Sequence, residues 1–321
     1  MMKSISRRRF LRHSLAGLAS GAATSVGPLV GCRQGISHQL NVIDVHVHAS
    51  FSDPVLQRQA RTLSQIEYSP EALLREMDQS QVEHAISIGF ETEEGELSIH
   101  ADNPMGGPAD RLPAARFSQI GGINPYRLDQ EGLRAIRKAL ESKQFCGLKI
   151  YLGYYHFPPE HDDYKRVYEL AGEFQVPVVF HTGDTYSKNA KVRFAHPLPI
   201  DDVAVDFRHV TFLLAHLGNP WTIDSAELLY KNPNVYGDLS GFLVGGESYF
   251  RNPENAEGFA HVVERIQRAF AWVENPRKFL YGSDWPLVPM EPYLELMKRA
   301  IPPKHHEAVF YGNAREVFHL T

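Results

Sequence analysis

Residues 40–50 read LNVIDVHVHAS, and the stretch from Leu40 to Ser50 decides how the rest of the chain is read. Leu40, Val42, Ile43, Val45 and Val47 make an apolar run of the kind that buries a β-strand, predicted here over 41–48. Side chains alternate along a strand, so Asp44, His46 and His48 are expected on one face and Ile43, Val45 and Val47 on the other. Two imidazoles one pleat apart can reach a single metal ion. A His-x-His pair alone is a weak signal, because chance alternation also produces it. Its meaning depends on what stands elsewhere in the chain.

Downstream, short apolar runs alternate with amphipathic segments. Further strands are expected at 84–90, 117–123, 147–151, 176–181, 210–217, 234–240 and 278–283. Between them, helical patterns cover Ser69 to about Gln81, with Pro70 in the first turn, then 130–142, 162–174, 222–231, 256–273, 290–300 and 314–318. Strands alternating with helices imply βα units and a parallel sheet. Eight such units in one domain over 41–321 fit an α/β fold, the (β/α)8 TIM barrel. Two connections, 91–116 and 182–209, are long, and long loops at strand C-termini are where a barrel builds a pocket or lid. A solvated insertion is the alternative.

Four more polar residues stand at or near the ends of separate predicted strands. Lys149 lies in Gly147-Leu148-Lys149-Ile150, His181 closes Val178-Val179-Phe180, His216 follows Leu213-Leu214-Ala215, and Asp284 follows Tyr281-Gly282-Ser283. In a parallel barrel these ends converge on one face. His46, His48, His181 and Asp284 then offer three imidazoles and a carboxylate, a set suited to Zn2+ or another divalent transition metal. Taken singly, a His after a strand is more often a satisfied polar residue, and Ser283-Asp284-Trp285-Pro286 suggests only an Asx-type loop. Polar groups at five strand ends together are a far less accidental pattern.

In its order His-x-His, Lys, His, His, Asp, the chain resembles the amidohydrolase superfamily. In detail it resembles the amidohydrolase-2 group, which includes aminocarboxymuconate-semialdehyde decarboxylase. The matching residues are Asp44 to His48, Phe180 to Gly183, Ala215 to Gly218, Gly282 to Pro286 and the closing Gly312-Asn313-Ala314-Arg315. The likeness spans about 41–319, and it is specific for fold and metal chemistry but not for substrate. It implies one metal ion held by His46, His48, His181 and Asp284, lowering the pKa of its water toward neutrality. Asp284 would also orient that water and take its proton, and His216 would polarise the substrate or act as acid or base. A purely structural His216 is the alternative.

Lys149 stays open. Leu148 and Ile150 should face the helices and Lys149 the barrel interior, where an unpaired ammonium is costly. Binuclear relatives carbamylate a lysine at this strand to bridge two ions, with His216 joining the second. A protonated Lys149 would instead bind a substrate carboxylate or carbonyl. One ion is favoured. Asp44 is expected to align its strand by accepting a hydrogen bond, Tyr151 and Trp285 to line the pocket, and Cys146 to be a core residue rather than a nucleophile.

The expected activity is metal-dependent, with zinc the expected ion: hydrolysis of an ester, lactone or amide of a small molecule. The alternative is non-oxidative decarboxylation or C–C cleavage of an unsaturated carboxylic acid at the same site. A third reading, a lipid-anchored binding protein without turnover, is disfavoured by the presence of every ligand and base.

The first residues are set aside from the fold. Ser6-Arg7-Arg8-Arg9-Phe10-Leu11-Arg12, followed by an Ala/Gly/Ser-rich stretch to Gly31, resembles a twin-arginine export signal. That stretch lacks the ~20 strongly apolar residues of a membrane span. Leu29-Val30-Gly31-Cys32 looks like a lipobox, with Cys32 acylated as the new N-terminus and 32–40 a short tether. An ordinary cleavage site nearby is the alternative. The expected location is periplasmic, anchored through Cys32 to the outer membrane, after passage through the twin-arginine translocase. Removing 1–31 takes five of the 33 basic residues and none of the 38 acidic ones, so the remainder carries 28 against 38, a formal charge of −10. No basic patch for nucleic acid is left. Of two cysteines, only Cys146 then keeps a thiol, so no internal disulfide is expected. An oligomer is compatible with all of this.

Overall fold

The computed structural model describes residues 40–89, 92–93, 96–97 and 112–320. The export signal, the lipobox with Cys32, the tether up to Gln39, and His100 and Asp102 of the first long connection lie outside the described residues.

Eight strands pair in parallel and in chain order: β1 (Val42–Val47), β2 (Val82–Ile88), β3 (Phe117–Ile123), β4 (Gly147–Ile150), β5 (Val178–His181), β6 (Phe212–Ala215), β7 (Val235–Asp238) and β8 (Phe279–Leu280). The residues after β8 return to β1. Val45 N–H donates to Tyr281 O (3.0 Å), Asp284 N–H to His46 O (2.8 Å) and His48 N–H to Trp285 O (2.8 Å), closing the sheet into a barrel. Helices Pro70–Gln79, Gln130–Glu141, Asp162–Phe174, Ile200–Asp206, Thr222–Lys231, Ala256–Val273 and Met290–Ala300 alternate with the strands. This is the (β/α)8 barrel that the strand–helix rhythm implied.

Local chemistry sets the boundaries. Ser69 Oγ accepts Ala72 N–H (3.1 Å) and Asp129 Oδ1 accepts Gly132 N–H (2.9 Å), capping two of the helices. The helix from Pro70 ends at Gln79 rather than near Gln81, because Gln81 turns to φ 60° to enter β2. The 182–209 connection carries its own short helices, Val192–Ala195 and Ile200–Asp206. Among the described residues no helix is long and apolar enough to cross a membrane.

Burial separates two apolar layers. Leu148, Ile150, Val178, Phe180, Phe212 and Leu214 pack with helix residues such as Tyr164 and Tyr168. Ile43, Val45, Ile86, Ile88, Ile120, Val179 and Leu213 fill the barrel, joined by Ala314, Val317 and Phe318 of the last helix. Asn313 fixes that helix by donating its Nδ2 to Pro276 O (2.9 Å) and Phe279 O (2.7 Å) at the start of β8. This is a structural use for the Gly312–Arg315 signature.

One expectation for β1 is corrected. Val45 packs inside the barrel with Ile43, but Val47 packs on the helix side with Val42. The register slips between Asp44 and Val47, which take three steps against two from Ala85 to Ser87 on β2. This is a β-bulge. It breaks the alternation, so Asp44 does not share a face with the histidines. It lies on the far side of the strand from Ile43 and Val45, where Oδ1 accepts His46 N–H and Ser283 N–H (both 3.0 Å).

Candidate metal centre

The bulge and the β8–β1 closure bring His46, His48 and Asp284 together. Asp284 Oδ1 lies 3.2 Å from His48 Nε2 and 3.5 Å from His46 Nε2, and all three residues are buried. Asp284 reaches this place through a left-handed backbone (φ 70°) held by its N–H on His46 O. Gly282 makes the approach possible, since a Cβ there would lie 2.8 Å from His46 Cβ.

Each ring also has a partner at Nδ1. His46 Nδ1 stands 3.1 Å from Asp238 Oδ2, and His48 Nδ1 3.3 Å from Ile88 O. A carboxylate only accepts, so His46 donates from Nδ1 and its Nε2 keeps a lone pair, while His48 stands between two acceptors, Ile88 O at Nδ1 and Asp284 Oδ1 at Nε2. His46 Nε2, His48 Nε2 and Asp284 Oδ1 all lie within 4.8 Å of one another, close enough for one cation to reach all three. The donor set, two imidazole nitrogens and one carboxylate, with Asp238 and Ile88 O against the far nitrogens of the two rings, fits a divalent transition metal.

Electrostatics agree with that fit. Burial opposes ionisation of Asp284, but the nearby His48, His46 and His216 rings hold its carboxyl well below the usual carboxylate range. Burial, with Lys149 adding to it, keeps His46 below its ordinary value. His181 lies well below for the same first reason, and burial pushes His216 down to about 4. These three rings are neutral at physiological pH, the state in which imidazole binds a metal or accepts a proton.

His181, expected as the fourth ligand, stands beside this set rather than within it. Among the described residues, one group of ligand atoms within 4.8 Å of one another is that of His46, His48 and Asp284. His181 packs edge-on to His216 at 4.9 Å between ring centres, and its Nε2 donates to Asp184 O (2.8 Å), leaving Nδ1 as its lone-pair nitrogen. His216 in turn lies 4.8 Å from the His46 ring, on a backbone at φ 61°.

Lys149 projects into the same interior. It is 1% exposed, and its Nζ has no hydrogen-bond partner. Burial pushes its pKa down to about 8, against the pull of Asp238 and Asp284. Tyr151 stands over it, with the ring centre 5.3 Å from Nζ and the hydroxyl on Gly89 O (3.1 Å). Trp285 is held behind the turn that carries Asp284. Its indole is fully buried, donates to Glu76 Oε1 (3.1 Å) and packs against Phe51 and Tyr68, which makes it part of the wall behind Asp284. Cys146 is free, and burial pushes its thiol up to about 12.

The residue that sequence reasoning missed is Asp238, at the end of β7. It is fully buried, and Oδ1 accepts His216 N–H and Ser240 N–H (both 3.0 Å) while Oδ2 faces His46. Burial alone would raise its pKa, but His46, His216 and Ser240 hold it ionised well below the usual range. The signal was available, since Asp238 is a polar strand end like the others. A second group of possible ligand atoms, from His46, His216 and Asp238, is satisfied internally through Ser240 and needs no ion.

A family model described as Amidohydrolase matches residues 43–320. No curated protein matches the sequence. Among solved structures, an uncharacterised TIM-barrel protein from Bordetella bronchiseptica is similar at TM-score 0.66 and 19% identity, covering 87% of this chain and 99% of its own. A dihydroxybenzoic acid decarboxylase from a Polaromonas species, with bound manganese and the inhibitor 2-nitroresorcinol, is similar at 0.61 and 13%, covering 88% and 98%. A protein described as a probable 2-pyrone-4,6-dicarboxylic acid hydrolase from Acinetobacter baumannii, with citric acid bound, is similar at 0.58 and 17%, covering 87% and 100%. At these identities the likeness shows a shared fold.

Proposed function

Because this chain belongs to the amidohydrolase family, we propose that it is a metal-dependent enzyme that hydrolyses an ester, lactone or amide of a small carboxylate-bearing molecule. The observation that carries this reading is the convergence of His46 Nε2, His48 Nε2 and Asp284 Oδ1 at the barrel end, with His46 Nδ1 held by Asp238. Those three residues would hold a divalent ion, with His181 the adjacent further donor. When bound, the ion supplies the Lewis acidity that makes water a nucleophile near neutral pH. Asp284, ionised and buried, accepts the proton of the attacking water. His216 exposes an unprotonated nitrogen and shuttles that proton to the leaving group. Lys149, whose Nζ has no hydrogen-bond partner, offers an ammonium to a substrate carboxylate.

A second reading, decarboxylation, is favoured by one observation: several neighbours of the same fold are decarboxylases, among them the manganese-bound one from Polaromonas. That neighbour also makes manganese the competitor to zinc. The deciding experiment measures metal content of the purified protein and then assays a lactone and ester panel in parallel with CO2 release from unsaturated and aromatic carboxylic acids. Hydrolysis abolished by Asp284→Asn supports the first reading. CO2 release with no hydrolysis selects the second, and a protein that holds no divalent ion overturns both.

Export and anchoring rest on the sequence motif alone. We propose that Arg7 and Arg8 direct twin-arginine export and that Cys32 is acylated. Incorporation of labelled palmitate into the wild type but not into Cys32→Ser tests the anchor, and equal labelling of both refutes it.

A further inference from the structure

Ser240 sits at the centre of a four-group contact. Its Oγ lies within hydrogen-bond distance of Asp238 Oδ1, 2.9 Å from His216 Nδ1 and 3.1 Å from His46 Nδ1. A hydroxyl has one proton to give. Asp238 Oδ1 already accepts the backbone N–H groups of His216 and Ser240, so it faces Ser240 as an acceptor, the Ser240 proton goes to Oδ1 and the Ser240 oxygen is left as an acceptor. Both rings must then point an N–H at it. His46 Nδ1–H is shared between Ser240 Oγ and Asp238 Oδ2, and His216 Nδ1–H has Ser240 Oγ as its acceptor. Gly241 completes the seat, since a Cβ there would lie 2.3 Å from His216 Nδ1.

We infer that Ser240 is a positioning residue that extends the charge of Asp238 to His216, fixing its proton on Nδ1 and keeping Nε2 bare as the site's basic nitrogen. One carboxylate thereby sets the tautomer of two rings with different tasks: directly for the ligand His46, and through a hydroxyl for His216. This rests on the reading of His216 as the acid/base group only for its catalytic meaning. The tautomer itself is a property of the protein without substrate.

The test is nitrogen NMR of the full-length protein labelled with 15N-histidine, metal-free and zinc-loaded, with the His216 signals assigned by loss in His216→Asn. In the wild type His216 should show a protonated Nδ1 and a bare Nε2. Ser240→Ala should shift the ratio of His216 tautomers toward Nε2–H by about tenfold or more, the effect expected for losing a hydrogen bond backed by a charge. Ser240→Thr, which keeps the hydroxyl, should restore the wild-type pattern. A wild-type His216 protonated on Nε2 overturns the inference, whether or not the Ala variant folds. So does an Ala variant whose His216 tautomer is unchanged. Because no turnover is read, either failure leaves the proposed reaction standing, and an inactive enzyme with the expected tautomer leaves this inference standing.

Discussion

Replacing Lys149 by methionine should stabilise the metal-free protein. Lys149 is fully buried, its ammonium has no hydrogen-bond partner, and burial moves its pKa from the ordinary 10.5 to about 8. A depressed lysine pKa means that the charged form is less welcome in the folded state than in the unfolded one. At one unit per 1.36 kcal/mol, this shift costs about 3 kcal/mol of stability wherever both states are protonated. The sign follows directly. Below about pH 8 the whole penalty is present. Between about 8 and 10.5 the folded state has released its proton and the unfolded state has not, so wild-type stability climbs with pH. Above 10.5 the penalty is gone. Methionine fills a similar volume with no charge. Urea unfolding of the chelator-treated wild type and Lys149→Met, from pH 6 to 10, should show the variant ahead by about 2–3 kcal/mol at low pH, with the gap closing above pH 8. A variant no more stable than the wild type, or a gap that does not change with pH, would mean that burial of the Lys149 charge carries no such cost. An intact mass heavier by one carboxyl group would identify the cause as a carbamylated Lys149. Such a charge is retained against its cost where function uses it. The same variant should therefore lose affinity for carboxylate-bearing substrates.

Three further outcomes are expected. Asp238→Asn removes the acceptor that orients His46, and should weaken divalent metal binding by about 10–100-fold in a competition titration with the fold intact by circular dichroism; unchanged affinity would remove Asp238 from the centre. Gly282→Ala places a methyl 2.8 Å from His46 Cβ, which should lower stability by about 1–3 kcal/mol and reduce metal content together. A stable, fully loaded variant would show that β1 and the turn after β8 can separate freely. The Cys146 thiol, pushed up to about 12 by burial, should react with a disulfide reagent at pH 8 far more slowly in the native protein than in urea. Equal rates would contradict its burial.

The barrel was legible because its signal is local. Apolar runs such as Val178-Val179-Phe180 and Leu213-Leu214-Ala215, each followed by an amphipathic helix, repeat along the chain, and a parallel sheet is what such units build. The polar residue at each strand end was legible for the same reason. Less legible was what each would touch. Val47 was expected beside Ile43 and Val45, but a bulge depends on the partner strand's register, which the alternation of one strand does not carry. Trp285 follows a ligand and so looked like a pocket residue, yet Glu76, more than 200 positions away in sequence, holds its indole in the wall. Asp238 lay in a correctly placed strand, but its role comes from reaching His46, 192 residues distant, across the closed barrel.

Hydrophobic period and strand-end position are properties of short segments, and they carried the class of fold, the face on which the polar strand ends gather, and His46, His48 and Asp284 as candidate donors. Tertiary structure decided the hydrogen-bond partners of those donors, the standing of His181 beside His216 rather than within the converging set, and the Asp238–Ser240 support beneath them. These depend on distances of about 3 Å between groups on different strands, and only closure of the sheet brings such groups together.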